Sequence, residues 1–182
     1  MKRAIIVPAA LAGAALDELK QWLGVTTPSE DAALRALLRA SLETCEAFTG
    51  QMPLAAECEE VLCAHAHWQA LTTRPVQAVT NAERLATDGS RIALVPDEYS
   101  VELEAGGRAL IRVTQPFPAM RIAVRFTAGV ATDWEGLPEG LRHGVLRLAA
   151  HHYRQRESDT TKAAPPAAIA ALWQPWRQMR LA

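Results

Sequence analysis

The chain has 182 residues, 49% hydrophobic and 21% charged, enough apolar material for a core and too much for wholesale disorder. With 19 Lys and Arg against 20 Asp and Glu, the formal net charge of −1 excludes a polyanion binder working by bulk charge. No apolar run approaches the roughly 18–20 residues of a membrane span, and three cysteines (Cys45, Cys58, Cys63) are too few for a disulfide scaffold and suit a reducing compartment.

Met1-Lys2-Arg3 followed by the apolar residues 4–15 imitates a signal peptide. Pro8 and Gly13 break the run, so export is not expected. Residues 16–23 put Leu16, Leu19 and Leu23 on one helical stripe, and Gly24 follows as its stop. Ser29 reads as the N-cap of a second helix, with Glu30 and Asp31 at the positive end of its dipole. Leu34, Leu37, Leu38, Leu42, Cys45 and Phe48 form its apolar face, and Thr49-Gly50 closes it.

From residue 52 to 127 the punctuation changes to that of strands. Short runs at 76–79, 91–95, 99–103, 109–113 and 121–126 are separated by turn signals such as Asp88-Gly89 and Gly106-Gly107. Ile122, Val124 and Phe126 alternate with Arg121, Ala123 and Arg125. Residues 58–71 combine helix-favouring composition with a period-two row, and are expected as strand. The adjacent acids Glu59 and Glu60 are expected on a solvated face.

Leu137-Pro138-Glu139 then opens a long helix to about residue 157, striped by Leu141, Val145, Leu148 and His152. A polar joint follows, and Pro165-Pro166 restarts a short helix over 167–181, interrupted by Pro175. The succession of helices, strands and helices reads as α+β.

Charge divides unevenly. Residues 16–60 carry nine acids and three bases, and residues 142–182 carry seven bases and two acids. Opposite-signed ends on a nearly neutral chain suit head-to-tail contact between copies, and they equally suit two solvated helix faces. Arg142, Arg147, Arg154 and Arg156 are candidates for subunit or DNA-channel contacts. An alternative reading makes the basic C-terminal third a DNA-binding or other interaction module, although no sequence-reading motif accompanies it.

No nucleophile elbow, phosphate loop or paired-cysteine motif occurs, so neither an enzyme nor a cofactor is expected. Cys63, His65 and His67 would share one face of a strand. The outer two then stand roughly 13 Å apart, too far to grip one ion, so no metal is expected. The C-terminal stripe Ile169, Leu172, Trp173, Trp176 and Met179, rimmed by Arg177 and Arg180, has the composition of an interface anchor. It suits docking into a partner's groove, or folding back on its own sheet.

An ordered set of segments resembles the head–tail connector (adaptor, or head-completion) proteins of long-tailed phages and gene transfer agents. The set begins with Leu16-Asp17-Glu18-Leu19-Lys20-Gln21-Trp22-Leu23, then an acid-started helix ending Phe48-Thr49-Gly50. It continues with Arg74-Pro75-Val76-Gln77-Ala78-Val79, the Asp88-Gly89 turn, Tyr99-Ser100-Val101 and Phe126-Thr127-Ala128-Gly129. Leu137-Pro138-Glu139-Gly140-Leu141 and His151-His152-Tyr153-Arg154-Gln155-Arg156-Glu157 complete it. The family often has an aromatic residue after the Ala-Gly, where this chain has Val130.

The resemblance implies a small helical bundle of two N-terminal helices plus a long C-terminal helix, with an antiparallel β-rich insertion and a short amphipathic tail. Residues 1–162 would form the connector domain, with helices in 16–48 and 138–157 and the insertion over 52–127, and 163–182 the docking tail. It further implies a non-enzymatic dodecameric ring of neighbouring copies under the portal protein, joined on its tail side to a stopper or tail terminator. DNA would pass through its channel without sequence readout. Assembly would take place in the bacterial cytoplasm, with the product at the head–tail neck of a virion or phage-like particle and no membrane partner. On this reading Ile169, Leu172, Trp173, Trp176, Arg177, Met179 and Arg180 dock on the portal, and Trp173 and Trp176 can both be removed without unfolding the core.

Overall fold

The computed structural model describes residues 3–115, 121–155 and 164–178. Among them the chain is α+β, with four α-helices and two antiparallel sheets. It divides into two units, one formed by Met1–Ala9 and Ala55–Gly129, the other by Ala10–Leu54 and Val130–Ala182.

The first unit is all β. Its strands are β1 (Arg3–Val7), β2 (Ala56–Cys63), β3 (Gln69–Ala70), β4 (Val76–Leu85), β5 (Arg91–Ala93), β6 (Tyr99–Glu104), β7 (Arg108–Val113) and β8 (Arg121–Ala128). Five of them form a sheet in the order β1-β2-β8-β4-β5, and β3-β7-β6 form a second. β8 is central and pairs along its whole length with β2, from Ala56 opposite Ala128 to Cys63 opposite Arg121. Its Ile122, Val124 and Phe126 are fully buried, with Cys58 and Leu62 of β2 and Ala82 of β4. Ala109, Ile111 and Val113 are the buried row of β7. The expectation of strand over 58–71 holds for 58–63 and 69–70, and β4 runs six residues beyond the expected 79.

Two turns of this unit rest on glycine. Gly89, at φ +85°, turns β4 into β5, and Gly107, at φ +75°, turns β6 into β7. At Gly107 a side chain would also run into Pro75, and the carbonyl of Gly107 accepts the amide of Val76 at 2.8 Å. The first strand was hidden in the sequence: β1 pairs antiparallel with β2, Arg3 opposite Glu60 and Ile5 opposite Cys58, where the composition had only imitated a signal peptide.

The second unit is helical, with α1 (Gly13–Leu23), α2 (Asp31–Thr49), α3 (Glu139–Arg154) and α4 (Ala167–Trp173). Gly24 caps α1 in the left-handed region as expected, and Gly50 does the same for α2. Ser29 is not the cap of α2. It sits in a single 3-10 turn, Pro28–Glu30, and its hydroxyl pairs with that of Thr27. The first turn of α2 is held by longer-range partners: Lys20 of α1 donates to Asp31 at 2.7 Å, and the Tyr153 hydroxyl of α3 donates to Glu30 at 2.6 Å. Leu34, Leu38 and Cys45 of α2 share the core with Leu16, Leu19, Leu141, Val145 and Leu148. Trp134, on the approach to α3, is fully buried too.

Candidate interaction surfaces

The C-terminal segment is built into the helical unit. α4 ends at Trp173 and tightens into a 3-10 turn, Gln174–Trp176, because Pro175 has no amide to continue an α-helix. Ile169 and Trp173 are buried, whereas Leu172 and Trp176 are half-exposed and Arg177 is exposed. The Trp173 indole donates a long bond, 3.4 Å, to the carbonyl of Leu141 and tilts against Phe48 with ring centroids 6.0 Å apart. The Arg177 guanidinium lies over Phe48 at 5.4 Å. Two further bonds strap the segment to the end of α2: Gln178 N–H to the Thr49 carbonyl at 2.9 Å, and Gln51 Nε2 to the Trp176 carbonyl at 2.5 Å.

The expectation that Trp173 and Trp176 are equally dispensable for folding fails for Trp173. Its ring fills the core between α2 and α3, so its removal opens a cavity worth about 3–5 kcal/mol. The segment does fold back, on helices rather than on a sheet. Met179, Arg180 and Arg156 lie outside the described residues.

The remaining candidate arginines of α3 differ in their freedom. Arg142 is spoken for: it donates to Glu139 at 2.7 Å and lies 3.8 Å from Glu18 of α1. Arg147 is half-exposed and Arg154 exposed at the end of the helix. Nearby, burial and then the adjacent His151 hold the His152 imidazole below its ordinary pKa.

The acid pair of β2 is not solvated. Glu60 is fully buried and accepts four hydrogen bonds, from the amides and hydroxyls of Thr72 and Thr73, at 2.6–2.9 Å. Glu59 is buried under a lattice of charge. Arg91 reaches both its oxygens at 2.8 and 3.0 Å and also pairs with Glu83, while Arg125 adds a bond at 3.1 Å. The Arg91 guanidinium, with Arg125 adding to it, holds the Glu59 carboxyl below the usual carboxylate range. The expectation of a solvated face for these acids fails because Thr72 and Thr73 between β3 and β4, Arg91 of β5 and Arg125 of β8 supply their partners.

Cys63, His65 and His67 do not converge as ligands. The two imidazoles stack face to face, centroids 4.7 Å apart, beside an exposed Trp68 whose ring carries Arg112 at 4.6 Å. Among the described residues no group of three or more His, Cys, Asp or Glu could hold a metal.

The model of the head completion protein family matches residues 14–167. The chain belongs to that family. It is a structural head–tail adaptor protein. No curated protein matches the sequence. The fold is similar to a chain of the neck of an empty gene transfer agent particle computed with C6 symmetry, with 26% identity and a TM-score of 0.81. That similarity covers 100% of this chain and 98% of the other. It is similar to a chain of a native gene transfer agent virion at 25% identity and TM-score 0.76, covering 100% and 98%. A chain of a native particle's neck computed with C12 symmetry is 26% identical, TM-score 0.76, covering 98% and 97%.

One surface of this head completion protein escaped the sequence reading. Ile5, Ile6 and Val7 of β1 are all about half exposed. The available signal was a run of β-branched residues ending at Pro8, which is the pattern of an edge strand.

Proposed function

We propose that this adaptor forms a ring in the head–tail neck of a virion or phage-like particle, under the portal protein, and carries the DNA channel toward the tail. The observation that supports the reading is similarity over the full chain to neck components of gene transfer agent particles, one of them computed with twelvefold symmetry. The protein assembles with other neck proteins and acts without catalysis. Its specific partners are the portal above, a stopper or tail terminator below, and copies of itself at either side. The two N-terminal helices and the long α3 work as one small bundle bearing the β-rich insertion.

Docking on the portal uses the C-terminal segment. Leu172, Trp176 and Arg177, with Met179 and Arg180 beyond them, make the contact, and Ile169 and Trp173 anchor the segment from inside. Arg147, Arg154 and Arg156 serve neighbouring subunits or the channel, where phosphate contact carries no sequence information, while Arg142 is held by Glu139 and Glu18.

Native mass spectrometry of the protein alone and mixed with its purified portal ring tests this. A discrete complex with one copy per portal subunit is expected. A lone monomer in both samples overturns it.

A further inference from the structure

We propose that the two outer strands of the five-stranded sheet, β1 and β5, meet between neighbouring copies of this chain, so that the sheet edges are the ring's lateral contact. The proposal rests on the ring reading above and specifies which surfaces close it.

Edge strands are ordinarily guarded by charge, proline, bulges or a covering element. β1 has Arg3 at its start and Pro8 after its end, but Ala4, Ile5, Ile6 and Val7 between them carry no charge. Among the described residues a register irregularity between Ile5 and Val7 adds one further guard, and side chains on both faces stand half exposed. At the opposite end of the same sheet β5 is three residues long, with Ile92 50% exposed and Val95 just beyond it 57% exposed. Of the eight large hydrophobic residues exposed among the described residues, four lie in these two strands, Ile5, Ile6, Val7 and Ile92, and Val95 follows just after β5.

The placement matters more than the count. A cyclic ring is closed by heterologous contacts, in which each copy offers two different patches, one to each neighbour. The strand order β1-β2-β8-β4-β5 puts the exposed Ile5–Val7 row and the exposed Ile92, next to the ion-paired Arg91, at opposite ends of one sheet, and β1 and β5 have no strand on their outer sides among the described residues. A single sheet thereby supplies both halves of such a contact. A twofold dimer would need one patch to face itself and would leave the other edge bare. The occupant that fits both edges at once is a second copy.

Two measurements in a Cys63→Ser background test this, on the full chain assembled with its portal ring. Chains carrying Ile5→Cys mixed with chains carrying Ile92→Cys are treated with a short bis-maleimide. The mixture is expected to cross-link to dimers, and a chain carrying both substitutions to a ladder ending at the closed ring. In parallel, Ile6→Lys and Ile92→Lys each place a charge in the contact. Each is expected to raise the concentration needed for ring formation roughly tenfold or more while leaving the circular dichroism unchanged. Rings that form normally with both lysines and give no dimer overturn the proposal and leave the ring reading standing. Cross-links from position 5 to a portal or tail-side chain also overturn it, since β1 then serves a different partner. A wild-type chain that forms no ring on the portal overturns the ring reading, and this contact with it.

Discussion

Gly144 lies against the indole of Trp173 so closely that a β-carbon at position 144 would overlap its Nε1, Cε2 and Cδ1. The contact joins α3 to α4 and seats the C-terminal segment on the helical unit. Gly144→Ala gains helix propensity, worth about 1 kcal/mol, yet must displace a fully buried tryptophan. Destabilisation of about 1–3 kcal/mol is expected in urea unfolding. An unchanged or raised midpoint would show that the ring has room to move.

The same contact separates folding from docking. Trp173→Ala is expected to lower the thermal midpoint sharply, by the cavity it leaves. Trp176→Ala removes a half-exposed ring and is expected to shift the midpoint little while weakening association with the portal ring. Trp176→Ala chains that bind the portal ring as tightly as wild type would remove Trp176 from the docking surface.

Glu59 makes the β unit sensitive to acid. Its carboxyl titrates below the ordinary value near 4.5 because Arg91, then Arg125, favour the charged form. A lowered folded-state pKa means stabilisation that is complete above the unfolded value and lost as pH falls through the folded one. Wild-type stability is therefore expected to drop below about pH 4.5, and Glu59→Gln to flatten that limb while costing stability at neutral pH. Parallel acid limbs in the two proteins would refute the assignment.

Glu60 is a separate case, a buried acceptor of four hydrogen bonds. In Glu60→Gln an amide group must replace one acceptor oxygen among four donors, so a loss of about 1–3 kcal/mol is expected in urea unfolding. A near-neutral result would mean that the Thr72–Thr73 turn reorganises freely.

The cysteines divide by exposure. Burial, with the Glu46 carboxylate adding to it, pushes the Cys45 thiol up to about 12, while Cys63 is exposed. In native protein at pH 8, a maleimide is expected to label Cys63 and to leave Cys45 and Cys58 untouched until urea unfolds the chain. The raised thiol also means that the Cys45 contribution is complete below its ordinary value near 9 and is lost as pH rises toward 12. Cys45→Ala should lack that alkaline dependence in a stability–pH series.

Much of this was legible in the amino acids because it depends on local periodicity. The Leu34, Leu38 and Cys45 stripe, the left-handed Gly24 and Gly50, and the alternation of Ile122, Val124 and Phe126 are properties of one helix or strand at a time. The family was legible too, since its segments follow one another in order along the chain. The α+β class, the strand-rich middle and the helical stop signals needed nothing beyond 3.6- and 2-residue repeats and backbone sterics.

Tertiary structure alone decided the rest, through partners far apart in the chain. Ser29 is a good cap by composition, but Tyr153 and Lys20 hold the first turn of α2 instead. Glu59 and Glu60 read as solvated until Arg91, Arg125, Thr72 and Thr73 surround them. Trp173 suits docking or folding back equally until Gly144, a residue with no side chain to announce itself, makes room for it. Burial is a property of neighbours, and for these residues the neighbours come from other elements of the chain, where no local pattern reaches.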